Sequence, residues 1–133
     1  MGPKGRFHRL LEPGRIGSVK TKNRIVRSSG EVLFDREPEV AFYEAVAKGG
    51  AGMAIVGSTS LDDPVAKIFA GQRAIDDETF TLFSEWAEAL HKYDCPAFVQ
   101  LAHHGPWHNG RASGLQPWSA SSLKAIELPE PTW

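Results

Sequence analysis

Three short stretches place small or polar residues directly after apolar runs: Ser28-Ser29-Gly30, Gly57-Ser58-Thr59, and Gln100 through Gly105. Small side chains at a strand's end let a flat ligand approach the backbone, whose N–H and C=O groups can bond a heterocycle. Gln100 offers a donor and an acceptor on one side chain, which matches an imide edge such as that of a flavin or a pyrimidine. Each stretch alone also suits a tight strand-to-loop turn, and a Gln closing an apolar strand also serves as a hydrogen-bonded cap. Three such ends together point to a site.

The remaining candidates have plainer readings. His103, His104 and His108 gather beside Trp107, and His104 and His108, four apart, would share a helix face and could hold a metal. Gly105 and Pro106 argue against a helix there, and no Cys or carboxylate completes the set. No metal site is expected, and the histidines read as structural or substrate-facing. Asp62-Asp63 and Asp76-Asp77 look like paired carboxylates for acid–base work, but both fall at turns or helix caps, and capping is the expected role. Cys95 stands before Pro96 on the side away from the three polar ends and reads as inert packing. No phosphate loop, nucleophile elbow or dinucleotide fingerprint is present.

The elements that must position these residues follow from pattern. Residues 1–23 are rich in Gly, Lys and Arg, and Gly14 and Gly17 flank Ile16, which suggests a short hairpin or turn leading into a strand over 24–29. A helix follows, with Pro38 in its first turn, Glu37 and Glu39 at the positive end of the dipole, and Phe42, Ala45, Val46 and Gly49 on one face. Gly49-Gly50-Ala51-Gly52 stops it; coming after a helix rather than before one, this run is structural and not a phosphate cradle. Residues 53–57 are continuously apolar, as in a strand buried on both faces. After a long loop, Asp76 or Asp77 caps a second helix, with Phe83, Trp86, Ala87 and Leu90 at helical spacing. A third strand covers 97–101, and 102–133 is a loop rich in Gly, Pro, Ser and Trp. Strand–helix alternation over 24–101 implies a parallel sheet, and ligands of such sheets gather at the carboxyl ends of the strands.

Composition narrows the class. The chain has 133 residues, 23% charged and 41% hydrophobic, with 15 basic against 16 acidic side chains. That balance lacks the basic excess of a nucleic-acid binder. No apolar run approaches the roughly 20 residues of a membrane span. The amino-terminal Met-Gly-Pro-Lys-Gly-Arg does not read as a secretory signal, and a single cysteine suits a reducing compartment, so a cytoplasmic location is expected.

Several segments together carry a family resemblance. Leu11-Glu12-Pro13-Gly14-Arg15-Ile16-Gly17, then Lys22-Asn23-Arg24-Ile25-Val26, resembles the opening of the Old Yellow Enzyme family, the FMN-dependent NADH:flavin oxidoreductases that include 2,4-dienoyl-CoA reductase. Tyr43-Glu44-Ala45 through Gly52, followed by Ile55-Val56-Gly57-Ser58-Thr59-Ser60, is similar to the family's second unit. Phe98-Val99-Gln100-Leu101-Ala102-His103 is similar to its third, and Pro117 to Ser121 to the Pro-Ser stretch that follows. Their order and spacing cover nearly the whole chain.

The resemblance implies a TIM barrel binding FMN at the strand carboxyl ends. Ser28, Ser29 and Gly30 would line the flavin from the first strand, Ser58 from the second, and Gln100 would read the pyrimidine edge of the isoalloxazine. Glu31 falls near a position where the family often places a Cys or Thr that tunes the flavin. Where many relatives continue His-Ala-Gly-Arg, this chain has His103-His104-Gly105-Pro106, without the Arg. A complete barrel takes ~200 to more than 400 residues, so the expected fold is α/β: the first three βα units of a TIM barrel, incomplete as a closed barrel.

The implied activity passes hydride from NAD(P)H through FMN to an activated alkene, a small-molecule substrate. The later strands of the family carry the substrate-gripping pair, the proton-donor tyrosine and the FMN phosphate site. The isolated chain is therefore expected to be inactive. The alternative is a non-catalytic truncated or split-gene module whose open sheet edges bind a complementing chain, or copies of itself in a homo-oligomer.

Overall fold

The computed structural model describes residues 5–30, 32, 35–61, 65–66, 73–105, 115–116, 118 and 120. Glu31, Asp62, Asp63, Pro106, Trp107, His108 and Pro117 lie outside them. Gly14–Ile16 (β1) and Val19–Thr21 (β2) pair antiparallel, with Gly14 opposite Thr21 and Ile16 opposite Val19. Gly17 and Ser18 connect them, and Gly17 sits at φ +57°. A left-handed residue first in a two-residue connection matches the twist of the flanking strands, and glycine adopts it without steric cost.

Asn23 ties this hairpin to the chain beyond. Its Nδ2 donates to the Gly50 carbonyl at 2.7 Å, and its Oδ1 accepts from the Ile25 N–H at 3.0 Å. The Gly52 N–H donates to the Ile25 carbonyl at 2.8 Å. A Cβ on Gly52 would fall inside van der Waals contact with both Asn23 oxygens, so this approach requires glycine.

Val26–Arg27 (β3), Met53–Ser60 (β4) and Ala97–Ala102 (β5) form a three-stranded sheet in that order. β3 and β4 run parallel, with Val26 beside Met53 and Arg27 beside Ala54. Ala54 N–H donates to the Pro96 carbonyl at 3.0 Å and Leu61 N–H to the Ala102 carbonyl at 3.1 Å, so β4 and β5 ascend together. β4 is apolar and buried, as its composition predicts, and it continues beyond residue 57 to Ser60, which bridges in parallel to Ala74. β3 is shorter than the predicted 24–29: beyond it the Ser28 and Gly30 carbonyls accept from the Arg27 side chain rather than from a neighbouring strand.

Helix α1 spans Arg36–Lys48, with Glu37 and Glu39 in its first turn and Lys48 in its last, the charge order the helix dipole favours. Gly49 and Gly50 close it, Gly50 at φ +98°. The expected face of α1 needs correction. Its buried line is Glu39, Tyr43 and Ala47, with Phe42 and Val46 at the border, while Ala45 and Gly49 are exposed. The helix turns to bring the largest ring inward: Tyr43 lies 5.3 Å from Trp86, ring centre to ring centre.

Helix α2, Asp77–His91, starts directly after Asp76 and buries Thr79, Leu82, Trp86, Ala89 and Leu90. Phe83 and Ala87 of the predicted stripe are only half-buried. Tyr43, Ala47, Ala51, Ala54, Val56, Leu82, Trp86, Leu90 and Cys95 form the core. Burial pushes the Cys95 thiol pKa up, which suits the inert packing role. At the surface, Arg36 forks onto Glu85 at 2.6 and 2.9 Å, joining α1 to α2, and these hydrogen bonds hold the Glu85 carboxyl below its usual range.

Two compact units emerge: residues 1–58 with 77–100, and residues 59–76 with 101–133. The first contains the hairpin, both helices and the core just described. In the second, Val65, Ala66 and Ala74 are buried, and the His104 N–H donates to the Ala66 carbonyl at 3.2 Å. No described helix is long and apolar enough to cross a membrane.

Trp86 joins the two helices and is 1% exposed. Trp86→Ala is expected to destabilise the chain by about 3–5 kcal/mol in urea unfolding; a loss under about 1 kcal/mol would contradict its place at the centre of the core.

Candidate functional site

All five residues singled out for a ligand lie in the first unit, at the carboxyl ends of its parallel strands. Ser28, Ser29 and Gly30 follow β3 directly. Ser58 lies in the last half of β4, and Gln100 in the last half of β5. β4 and β5 are joined by the Ala54–Pro96 hydrogen bond below Ser58 and Gln100 and by the Leu61–Ala102 hydrogen bond above them, so both residues fall in the upper part of the strand pair. With β4 between β3 and β5, the sheet order brings the three segments to one edge.

Their surroundings differ. Ser28, Gly30 and Gln100 are exposed, whereas Ser29 and Ser58 are half-buried. The Ser29 hydroxyl oxygen is itself buried and has no hydrogen-bond partner. A buried hydroxyl without a partner carries a desolvation cost, which a ligand or water able to bond it would relieve. The Ser28–Gly30 backbone is held from behind: Arg27 donates from Nη1 to the Ser28 carbonyl and from Nη2 to the Gly30 carbonyl, the latter at 3.1 Å.

Two grooves of the first unit lie elsewhere. One, of about 370 Å³, sits beside the hairpin and the start of β3 and β4, lined by Ile16, Asn23, Arg24, Val26 and Met53 among others. The other lies against α1 and Glu85 of α2, lined by Arg36, Glu37, Val40, Ala41, Glu44 and Glu85.

In the second unit, Thr59 and Ser60 are fully buried and their hydroxyls also lack partners. The His103 Nδ1 accepts from the Gly105 N–H at 2.9 Å, a local turn contact. Among the described residues no three His, Cys, Asp or Glu side chains cluster as metal ligands.

Two features escaped the sequence reading. Arg27 reads there only as a strand residue, although it stands directly before Ser28-Ser29-Gly30. The orphaned hydroxyls of Ser29, Thr59 and Ser60 have no signature in sequence, because satisfaction of a hydroxyl is a property of its neighbours in space.

Comparison with known proteins gives this edge a context. The model of the NADH:flavin oxidoreductase / NADH oxidase family matches residues 9–124. The chain is 34% identical over 125 residues to an NADH oxidase of Thermoanaerobacter brockii, covering 88% of this chain and 19% of that protein. It is 28% identical over 101 residues to a bilirubin reductase of Mediterraneibacter gnavus, covering 71% and 15% respectively. Among solved structures it resembles morphinone reductase, with a TM-score of 0.73 at 22% identity, over 89% of this chain and 33% of that one. The old yellow enzyme homologue from Zymomonas mobilis matches with a TM-score of 0.69 at 24% identity, over 86% and 33%.

The chain thus spans less than a fifth of these curated relatives. The solved neighbours are TIM-barrel enzymes, and the described residues form part of such an α/β arrangement, with a parallel sheet that does not close.

The residues at the edge fit a flavin. Ser29 presents a buried hydroxyl in need of a partner, Gln100 an exposed carboxamide with both bonding senses, and Ser28, Gly30 and Ser58 small side chains. If the Ser29 hydroxyl is an orphan in the free chain, Ser29→Ala should leave urea stability unchanged or raise it by up to about 1 kcal/mol. A loss of more than about 1 kcal/mol would show that the hydroxyl is already bonded.

Proposed function

The chain belongs to the NADH:flavin oxidoreductase / NADH oxidase family, and from that premise we propose that it is the N-terminal part of an FMN-dependent NAD(P)H oxidoreductase of the ene-reductase type. The observation that carries the proposal is the gathering of Ser28–Gly30, Ser58 and Gln100 at one carboxyl edge of the parallel sheet. Bound FMN would supply the ability to take hydride from a reduced nicotinamide and release it to the β-carbon of an activated alkene.

The chain's own residues bind and orient. Ser28, Ser29 and Gly30 hold one side of the flavin through backbone and hydroxyl bonds. Ser58 keeps the second strand's end small enough for a flat ring to lie close. Gln100 pairs its carboxamide with the imide edge, donating through Nε2 and accepting through Oε1. Residues 1–133 act as the first portion of a single FMN-binding domain. The substrate grip and the FMN phosphate site come from a complementing portion of barrel. That reading is supported by the exposure of Ile25 and Val26 at one edge strand and of Val99 and Leu101 at the other. Apolar side chains on open strands are what neighbouring barrel strands would cover.

A hybrid tests this. Residues 9–124 replace the matched segment of the Thermoanaerobacter brockii NADH oxidase, and the purified protein is examined for bound FMN and for NAD(P)H-dependent reduction of cyclohexenone. The hybrid is expected to retain FMN and to turn over, while the chain alone does not exceed a free-flavin control. Gln100→Leu in the hybrid should weaken FMN binding about tenfold or more. A folded hybrid without FMN would overturn the flavin wall; FMN retained with NAD(P)H oxidation but no alkene reduction would overturn the ene-reductase assignment.

A further inference from the structure

We infer that Arg27 is the positioning residue of this edge: held between two aromatic rings and the backbone ahead of it, its guanidinium fixes Ser28–Gly30 in the shape that receives the flavin. The inference rests on the reading above and extends it to a side chain behind the ligand-facing edge. Arg27 is the last residue of β3. Its guanidinium carbon lies 5.5 Å from the centre of the Phe42 ring and 5.6 Å from that of Tyr43. Both rings belong to α1, and Tyr43 is fully buried against Trp86, so the cation–π grip is anchored in the core.

The other face of the guanidinium chemistry is its fork of donors. Nη1 donates to the Ser28 carbonyl and Nη2 to the Gly30 carbonyl at 3.1 Å. Both nitrogens also lie 3.7 Å from where a Gly30 Cβ would stand. One side chain thereby satisfies two carbonyls just where the strand ladder has ended.

Two consequences follow for a ligand. Two serines and a glycine sample much backbone space when free, and ordering them on binding would weaken affinity; ordering them beforehand avoids that loss. With the Ser28 and Gly30 carbonyls engaged, the groups Arg27 leaves are the segment's N–H donors, the Ser29 carbonyl and the unpartnered Ser29 hydroxyl. Donors suit the carbonyl oxygens and ring nitrogens of an isoalloxazine. Lysine cannot substitute, because an ammonium is a point charge without a planar fork.

The test uses the 133-residue chain as wild type, Arg27→Lys and Phe42→Leu. Riboflavin binding is followed by fluorescence quenching, and the order of the Ser29 and Gly30 amides in the ligand-free chain by ¹⁵N heteronuclear NOE. Arg27→Lys keeps the charge and loses the fork. It is expected to lower the NOE of Ser29 and Gly30 and to weaken riboflavin about tenfold, the size of one charge-assisted hydrogen bond, with the Trp86 indole signal unmoved. Phe42→Leu, which removes one ring of the grip, should show the same pattern at smaller amplitude.

Unchanged order and unchanged affinity in both variants would overturn the inference. So would lost order with unchanged affinity, which would make Arg27 a structural residue only. Absence of riboflavin binding in the wild-type chain, with the NOE loss still seen in Arg27→Lys, would instead overturn the flavin reading beneath it and leave Arg27 as a clamp on the backbone.

Discussion

Contact between Tyr43 and Trp86 is the interaction on which the arrangement of the first unit depends. Helix α1 buries a glutamate, a tyrosine and an alanine, and its core is completed by Leu82, Trp86 and Leu90 of α2. Bringing the two rings to 5.3 Å gives α1 and α2 a shared core, with Val56 of β4 and Cys95 beside it. Aromatic pairs of this kind add to the area they bury through their edge and face geometry. Once both crossover helices are docked together, the parallel strands they connect must rise in the same direction. Their carboxyl ends then share an edge, as strand–helix–strand connectivity requires. Tyr43 acts a second time through Arg27, so the core reaches the candidate site through a single cation–π step.

The opposite end of the sheet is organised by different means. Asn23 bonds the Gly50 carbonyl and the Ile25 N–H, and the missing side chain of Gly52 leaves room for it. The hairpin is thereby fixed to the turn between α1 and β4. The carboxyl edge, by contrast, carries the buried Ser29 hydroxyl without a partner and the exposed Gln100 carboxamide.

Much of this is legible in the residues. Continuous apolarity marks β4, the glycine run marks the end of α1, and helical spacing marks Trp86 and Leu90 of α2. The three small or polar strand ends are visible because chemistry there changes abruptly from apolar to polar. What escapes is set by contacts in space. The face of α1 turned on which ring would meet Trp86, a choice that counting aliphatic residues weighs wrongly. Beyond β3, the Ser28 and Gly30 carbonyls accept from the Arg27 side chain. Side-chain capture of backbone groups competes with strand pairing, and nothing in a lone arginine announces it. Family likeness reaches further than either, since a match over residues 9–124 rests on the order of motifs that are weak one by one.

The central claim is that the carboxyl edge of the β3-β4-β5 sheet is a wall for an isoalloxazine. A ¹H–¹⁵N correlation spectrum of the 133-residue chain, titrated with riboflavin, tests it most directly, because the ring can be located without the phosphate site. Saturable shifts of the Ser29, Gly30 and Ser58 amides and of the Gln100 side-chain amide are expected, with the Asn23 and Gly52 signals at the other end of the sheet unmoved. Shifts centred on the hairpin or on the groove beside α1, or none at a riboflavin concentration near its solubility limit, would contradict the claim.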